Sequence, residues 1–93
     1  MKILDVVKIS LDANGEGTET AEFKEKWSPL FYDGKGLCII RQADEVFVRL
    51  VQTPFDLHKY VVLDPGKYTF EVSGGEANSI VHVLVLQIVR GNK

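Results

Sequence analysis

The run Leu63-Asp64-Pro65-Gly66-Lys67-Tyr68-Thr69-Phe70-Glu71-Val72 decides the fold class. Tyr68, Phe70 and Val72 alternate with Thr69 and Glu71, the two-residue period of a strand buried on one face. In front of it, Asp64-Pro65-Gly66-Lys67 fits a type II turn. Proline presets φ near about −65° there, and Gly66 accepts the positive φ that follows.

Outward from this run the same period continues. Towards the C-terminus, residues 73–78 form a glycine-containing turn, residues 80–89 a last strand, and residues 90–93 a polar tail. Towards the N-terminus, residues 58–63 form a strand, and Thr53-Pro54-Phe55-Asp56 breaks the one before it. Residues 46–52 alternate Val46, Val48 and Leu50 against Phe47, Arg49 and Val51. Gln42-Ala43-Asp44-Glu45 reads as a tight turn. Residues 36–41 form a short strand, apolar on both faces through Leu37, Cys38, Ile39 and Ile40. Residues 27–36 read as an irregular connection, unusually apolar for a loop. Residues 18–27 place Ala21, Phe23 and Trp27 on one side and Glu22, Lys24 and Lys26 on the other. Residues 2–11 are rich in Ile, Val and Leu.

Seven strands, no helix, and a turn signal every 8–12 residues or so predict an all-β antiparallel sandwich. At 93 residues and net charge −2 the chain is a single domain, residues 1–93. Apolar residues at 45% and charged residues at 26% are ordinary globular composition, which argues against disorder.

The first turn, residues 12–17, implies a hairpin whose register follows from polarity. A two-residue Asn14-Gly15 loop leaves Ile3 opposite Lys26. One more loop residue pairs Ile3 with Trp27, Val7 with Phe23 and Ile9 with Ala21, apolar against apolar, though Asp5 then faces Glu25. A one-residue slip inverts every side chain, so the second register is expected.

The Leu63–Val72 run resembles the L-x-P-G-x-Y-x-F-x-V corner of immunoglobulin-like and fibronectin-type-III-like sandwiches, with Pro65, Gly66 and Tyr68 in the matching positions. The resemblance covers ten residues and implies architecture alone. Jelly rolls and viral structural domains use the same turn, so the expected fold is Ig-like or jelly-roll. The Cys–Trp–Cys pattern of true immunoglobulin domains is absent.

Residues 80–89 carry more apolar surface than one core face needs. Ile80, Leu84, Leu86 and Ile88 point one way; Val81, Val83, Val85 and Val89 point the other. Leaving three or four valines in water forgoes on the order of 5–10 kcal/mol, comparable to the whole stability of a domain. Either the chain's own loop Leu30-Phe31-Tyr32 or closure into a barrel covers them, or a second subunit does. The second is the leading expectation, with Val81, Val83, Val85, Val89, Leu37 and Ile39 as the oligomer interface.

Catalytic and metal chemistry find little support. Asp12, Asn14, Glu16 and Gly17 fall at the opening positions of a calcium loop, but Phe23 stands where the closing glutamate belongs, so a turn is expected. His58 and His82 have no third metal ligand near them in sequence. His82, in an apolar row, is expected to make assembly pH-sensitive. The lone Cys38 reads as a small buried hydrophobe, with no partner for a disulfide or zinc site. No phosphate or dinucleotide loop is present. No enzyme activity, cofactor or metal is therefore expected. Basic residues are balanced by acids, so no nucleic-acid surface is expected. No run is long enough to span a membrane. Asp5 comes too early for a secretory signal, which suggests synthesis in the cytoplasm and leaves the final location open.

The aromatic stretch Trp27, Phe31, Tyr32 with Asp33, and Tyr60, has three readings: plugs of the core's open end, a protein contact, or a platform for a sugar ring. Plugging is favoured. The expected function is a non-catalytic structural subunit that self-associates through an apolar sheet face, such as a virion decoration or minor capsid protein. The alternative is a glycan- or protein-binding module using Trp27–Asp33.

Overall fold

The computed structural model describes residues 2–54 and 61–88. Seven strands, and no helix, lie among them: β1 (Ile3–Ser10), β2 (Gly17–Phe23), β3 (Trp27–Asp33), β4 (Leu37–Gln42), β5 (Glu45–Val51), β6 (Gly66–Ser73) and β7 (Ile80–Gln87). They form two antiparallel sheets, β1-β7-β3 and β2-β6-β4-β5, packed as a sandwich.

The pairing is nested. β1 pairs with β7, β2 with β6, and β4 with β5. β3 also pairs with β7 on one side. On its other side it meets Leu63 through two backbone bonds, Trp27 N–H to Leu63 O at 3.1 Å and Leu63 N–H to Trp27 O at 2.8 Å. Further along that edge Phe31 O accepts the Thr53 N–H at 3.0 Å.

Alternation along each strand fills the space between the sheets. From the three-stranded sheet come Val7, Ile9, Trp27, Phe31, Val81, Val83 and Val85; from the four-stranded sheet Phe23, Cys38, Ile40, Val48, Tyr68, Phe70 and Val72. One end is aromatic: Trp27 stacks on Phe23 at 4.1 Å and meets Tyr68 edge-on at 5.3 Å. The Tyr68 hydroxyl donates to the Asp64 carbonyl at 2.6 Å, tying the strand to the turn before it. Gly66 has the positive φ expected of that turn, but at 152° it is nearer extended mirror-image backbone than the about +80° of a type II turn.

Three sequence expectations are corrected. First, β1 and β2 are not a hairpin. Val7 pairs with Val83, and Phe23 with Gly66, in different sheets. The expected register grouped inward residues in part: Val7, Ile9 and Phe23 are buried, but Ile3 is 49% exposed, turned to the outer face by a bulge between Ile3 and Asp5. The buried ones face each other across the core instead of lying side by side, and polarity alone does not separate those two cases. The Asp12 carboxylate braces the crossing loop, accepting the Asn14 and Glu16 N–H groups at 2.8 and 3.0 Å.

Second, residues 27–33 are a strand and not an irregular connection. Proline inside a strand is tolerated only where no ladder bond is lost. The N–H and C=O of Trp27 point away from β7, towards Leu63. Pro29, two residues on, shares that outward direction, so its missing N–H takes nothing from the β7 ladder.

Third, the expected strand at 58–63 lies partly outside the described residues. Its described part holds no strand beyond the isolated bridge at Leu63. In β5 the expected alternation holds, with Val46, Val48 and Leu50 less exposed than Phe47, Arg49 and Val51, but the register is irregular. Ile40 pairs with Val48 and Arg41 with Val46, so Phe47 is an extra, bulged residue. Its ring packs edge-on against Tyr68 at 5.9 Å.

Candidate functional site

The valines expected to meet a partner are inside the protomer. Val81, Val83 and Val85 are fully buried, facing Val7, Phe31 and the opposite sheet. The physical reason is simple: the second sheet covers that face, so these valines give no argument for a companion chain. Val89 lies outside the described residues. Leu37 and Ile39 are half-buried on the outer face of the other sheet, beside the Arg41–Glu71 ion pair at 2.9 Å. The six expected interface residues therefore do not share one surface.

The other side of β7 faces outward and divides in two. At one end Leu30, Leu84 and Leu86 form a small buried cluster of their own. Elsewhere on it apolar groups stay exposed: Ile3 49%, level with Leu86, Val6 37%, level with Leu84, Tyr32 49%, beside His82, and Ile80 50%, at the far end of β7. This face carries the candidate site.

Of the aromatic stretch, Trp27 and Phe31 are buried in the core, as plugging requires. A sugar platform built on Trp27 is thereby excluded. Tyr32 and Asp33 are exposed because of a third bulge: Phe31 pairs with Val83 and Asp33 with His82, leaving Tyr32 as the extra residue. Val6, Tyr32, Asp33, His82 and Leu84 line an open depression of about 300 Å³.

The register sets a row of polar groups across the middle of the face. Lys8 on β1 pairs with His82 on β7, and His82 pairs with Asp33 on β3. The His82 Nδ1 lies 3.5 Å from the Asp33 carboxylate, too poorly placed for a hydrogen bond, and has no other partner among the described residues. Asp33 is 68% exposed and Lys8 is exposed, so both charges face solvent. Asp33 and His82 are 49 residues apart in the sequence, and Val6 and Ile80 lie on different strands, β1 and β7. Only the strand register brings them together.

The remaining candidates have structural roles. The Asp12 carboxylate serves its own turn, as expected. Cys38 is fully buried, and desolvation pushes its thiol up to about 12. Glu71, lining a hollow of about 230 Å³ with Glu16, Thr18 and Ile39, is engaged by Arg41. Among the described residues no three of His, Cys, Asp and Glu are placed to hold a metal ion. His58 and Tyr60 lie outside the described residues. Compared with known protein families, curated proteins and solved structures, the chain matches none.

Proposed function

We propose that this chain is a non-catalytic structural subunit with a jelly-roll architecture that works by self-association. The nested pairing supports the architecture. A jelly roll is a long antiparallel ribbon of eight strands rolled into two sheets. Its first strand pairs with its last, its second with its seventh, its third with its sixth and its fourth with its fifth. With Leu63 counted as a reduced sixth strand, β1–β7, β2–β6, β3–Leu63 and β4–β5 follow that scheme.

Jelly rolls serve viral shells and sugar-binding proteins alike, so architecture does not choose between them. The observation that carries the choice is the exposed group Val6, Tyr32 and Ile80 on the outer face of β1-β7-β3. Apolar side chains gathered on one sheet face are the mark of a protein contact. A decoration or minor component of a virus shell is the kind of subunit this fits.

The test is sedimentation of the chain from about 1 μM to about 1 mM. The expected mass rises above that of the monomer with concentration. Val6→Glu returns it to the monomer, while the circular dichroism of the β fold stays unchanged. A wild-type chain that is monomeric throughout overturns the proposal.

A further inference from the structure

Resting on the assembly reading above, we infer that the outer face of β1-β7-β3 pairs with the same face of a second copy. The two-fold axis lies between the faces, runs parallel to β7 and passes over His82. Protonation of His82 opens the pair.

The charge order of the face selects this occupant and this axis. The row Lys8, His82, Asp33 reads positive, imidazole, negative, with neighbouring strands about 4.8 Å apart. A two-fold interface uses the same patch on both copies. An axis lying across the strands sets Lys8 over Lys8 and Asp33 over Asp33, like against like. An axis along β7 exchanges the flanks instead. Lys8 of each copy then lies over Asp33 of the other. Ile80 and His82, on the axis, face their own counterparts. Charge complementarity is thus satisfied by one operation, to within the twist of the sheets. No ion pair occupies Lys8 among the described residues, and Asp33 has only its long contact with His82.

The same geometry makes the contact acid-labile. With both imidazoles neutral, the facing rows carry two positive and two negative charges. Histidine changes charge between about pH 5 and pH 8. Protonation then sets two cations against each other on the axis. Each new imidazolium also draws Asp33 of its own chain, 3.5 Å away, from the Lys8 it would meet. The charged and titratable groups facing His82 are Lys8 from β1 and Asp33 and Tyr32 from β3.

The experiment is sedimentation equilibrium of the full chain at about pH 8 and about pH 5.5, across the range in which histidine changes charge. The variants are Lys8→Glu, Asp33→Lys, their double mutant, and His82→Gln. All are at exposed or half-exposed positions, and circular dichroism checks the fold of each. Wild type is expected to dimerise roughly tenfold more weakly at the lower pH, and each single swap to weaken the dimer by roughly tenfold. The double swap restores the dimer, and His82→Gln associates equally at both pH values. Association that ignores the single swaps, or is not rescued by the double, overturns the two-fold arrangement and leaves the assembly reading standing. His82→Gln that still loses its dimer in acid overturns the role of His82. A wild-type chain monomeric under every condition overturns both proposals together.

Discussion

Cys38 lies fully buried in the middle of β4, facing the opposite sheet. Burial raises its thiol from the ordinary 9.0 to about 12, because the thiolate loses its water and gains no counter-charge. Between those values the unfolded chain releases a proton that the folded chain keeps, so this group's contribution to stability falls as pH rises above about 9. Two outcomes follow. Iodoacetamide at about pH 8.5 leaves the native thiol unlabelled, and it labels Cys38 once urea unfolds the chain. Cys38→Ala flattens part of the stability loss above about pH 9. Labelling of the native protein at the rate of a free thiol contradicts this placement. The inward role of Cys38 was legible in the sequence, as were those of Tyr68, Phe70 and Val72. Each sits in an apolar alternation that admits one buried side. The His82–Asp33 contact was not, because nothing local to either residue records which strands lie beside each other.

At the scale of elements, the β4–β5 hairpin shows a local rule broken. Gln42 pairs with Glu45, so Ala43 and Asp44 alone make the turn. Ala43 holds φ at 56°, in the region where L-residues crowd their own carbonyl and where hairpin turns of this length place glycine. Ala43→Gly is expected to stabilise the protein by about 0.5–1 kcal/mol, since relief of that strain exceeds the added freedom of the unfolded chain. A urea titration showing unchanged or lower stability refutes this. The turn itself was legible from Gln42-Ala43-Asp44-Glu45. The three bulges were not. Each inserts one residue, Leu4, Tyr32 or Phe47, into an otherwise regular ladder, and period-two patterning has no term for an extra residue. Strand β3 was missed for a related reason. Pro29 and the aromatic density around it read as a loop until its place at a sheet edge is known. On β7 both apolar rows were visible, but the row assigned to a partner subunit was the one the core takes. A strand apolar on both sides does not say which face meets the second sheet.

For the whole molecule, the two-sheet sandwich was legible and the order of strands within it was not. Seven strands were expected and seven are found, with β3 among them and residues 58–60 beyond the described set. Composition reports how much is buried; connectivity depends on which loops cross between sheets, and residues 12–17 do so without any sequence mark that separates them from a hairpin. A native state that is a dimer has a melting temperature tied to concentration by mass action. At about pH 8 the Tm is expected to rise by a few degrees for each tenfold increase in protein near the dimer's dissociation constant, and over the same concentrations to rise less at about pH 5.5. Trp27, fully buried against Phe23 and Tyr68, gives the fluorescence signal for both scans. Equal concentration dependence at the two pH values contradicts the acid release.

The central place of β7 has a consequence for synthesis. Among the described residues β1 has no ladder within its sheet other than the one β7 offers, yet about 70 residues separate the end of β1 from the start of β7. At about 5–20 residues per second, a ribosome holds that apolar strand waiting for several seconds before its mate emerges. During that interval Val7 and Ile9 have nothing to shelter them. A nascent chain stalled before Ile80 should therefore be the form that chaperones seize and proteases clear.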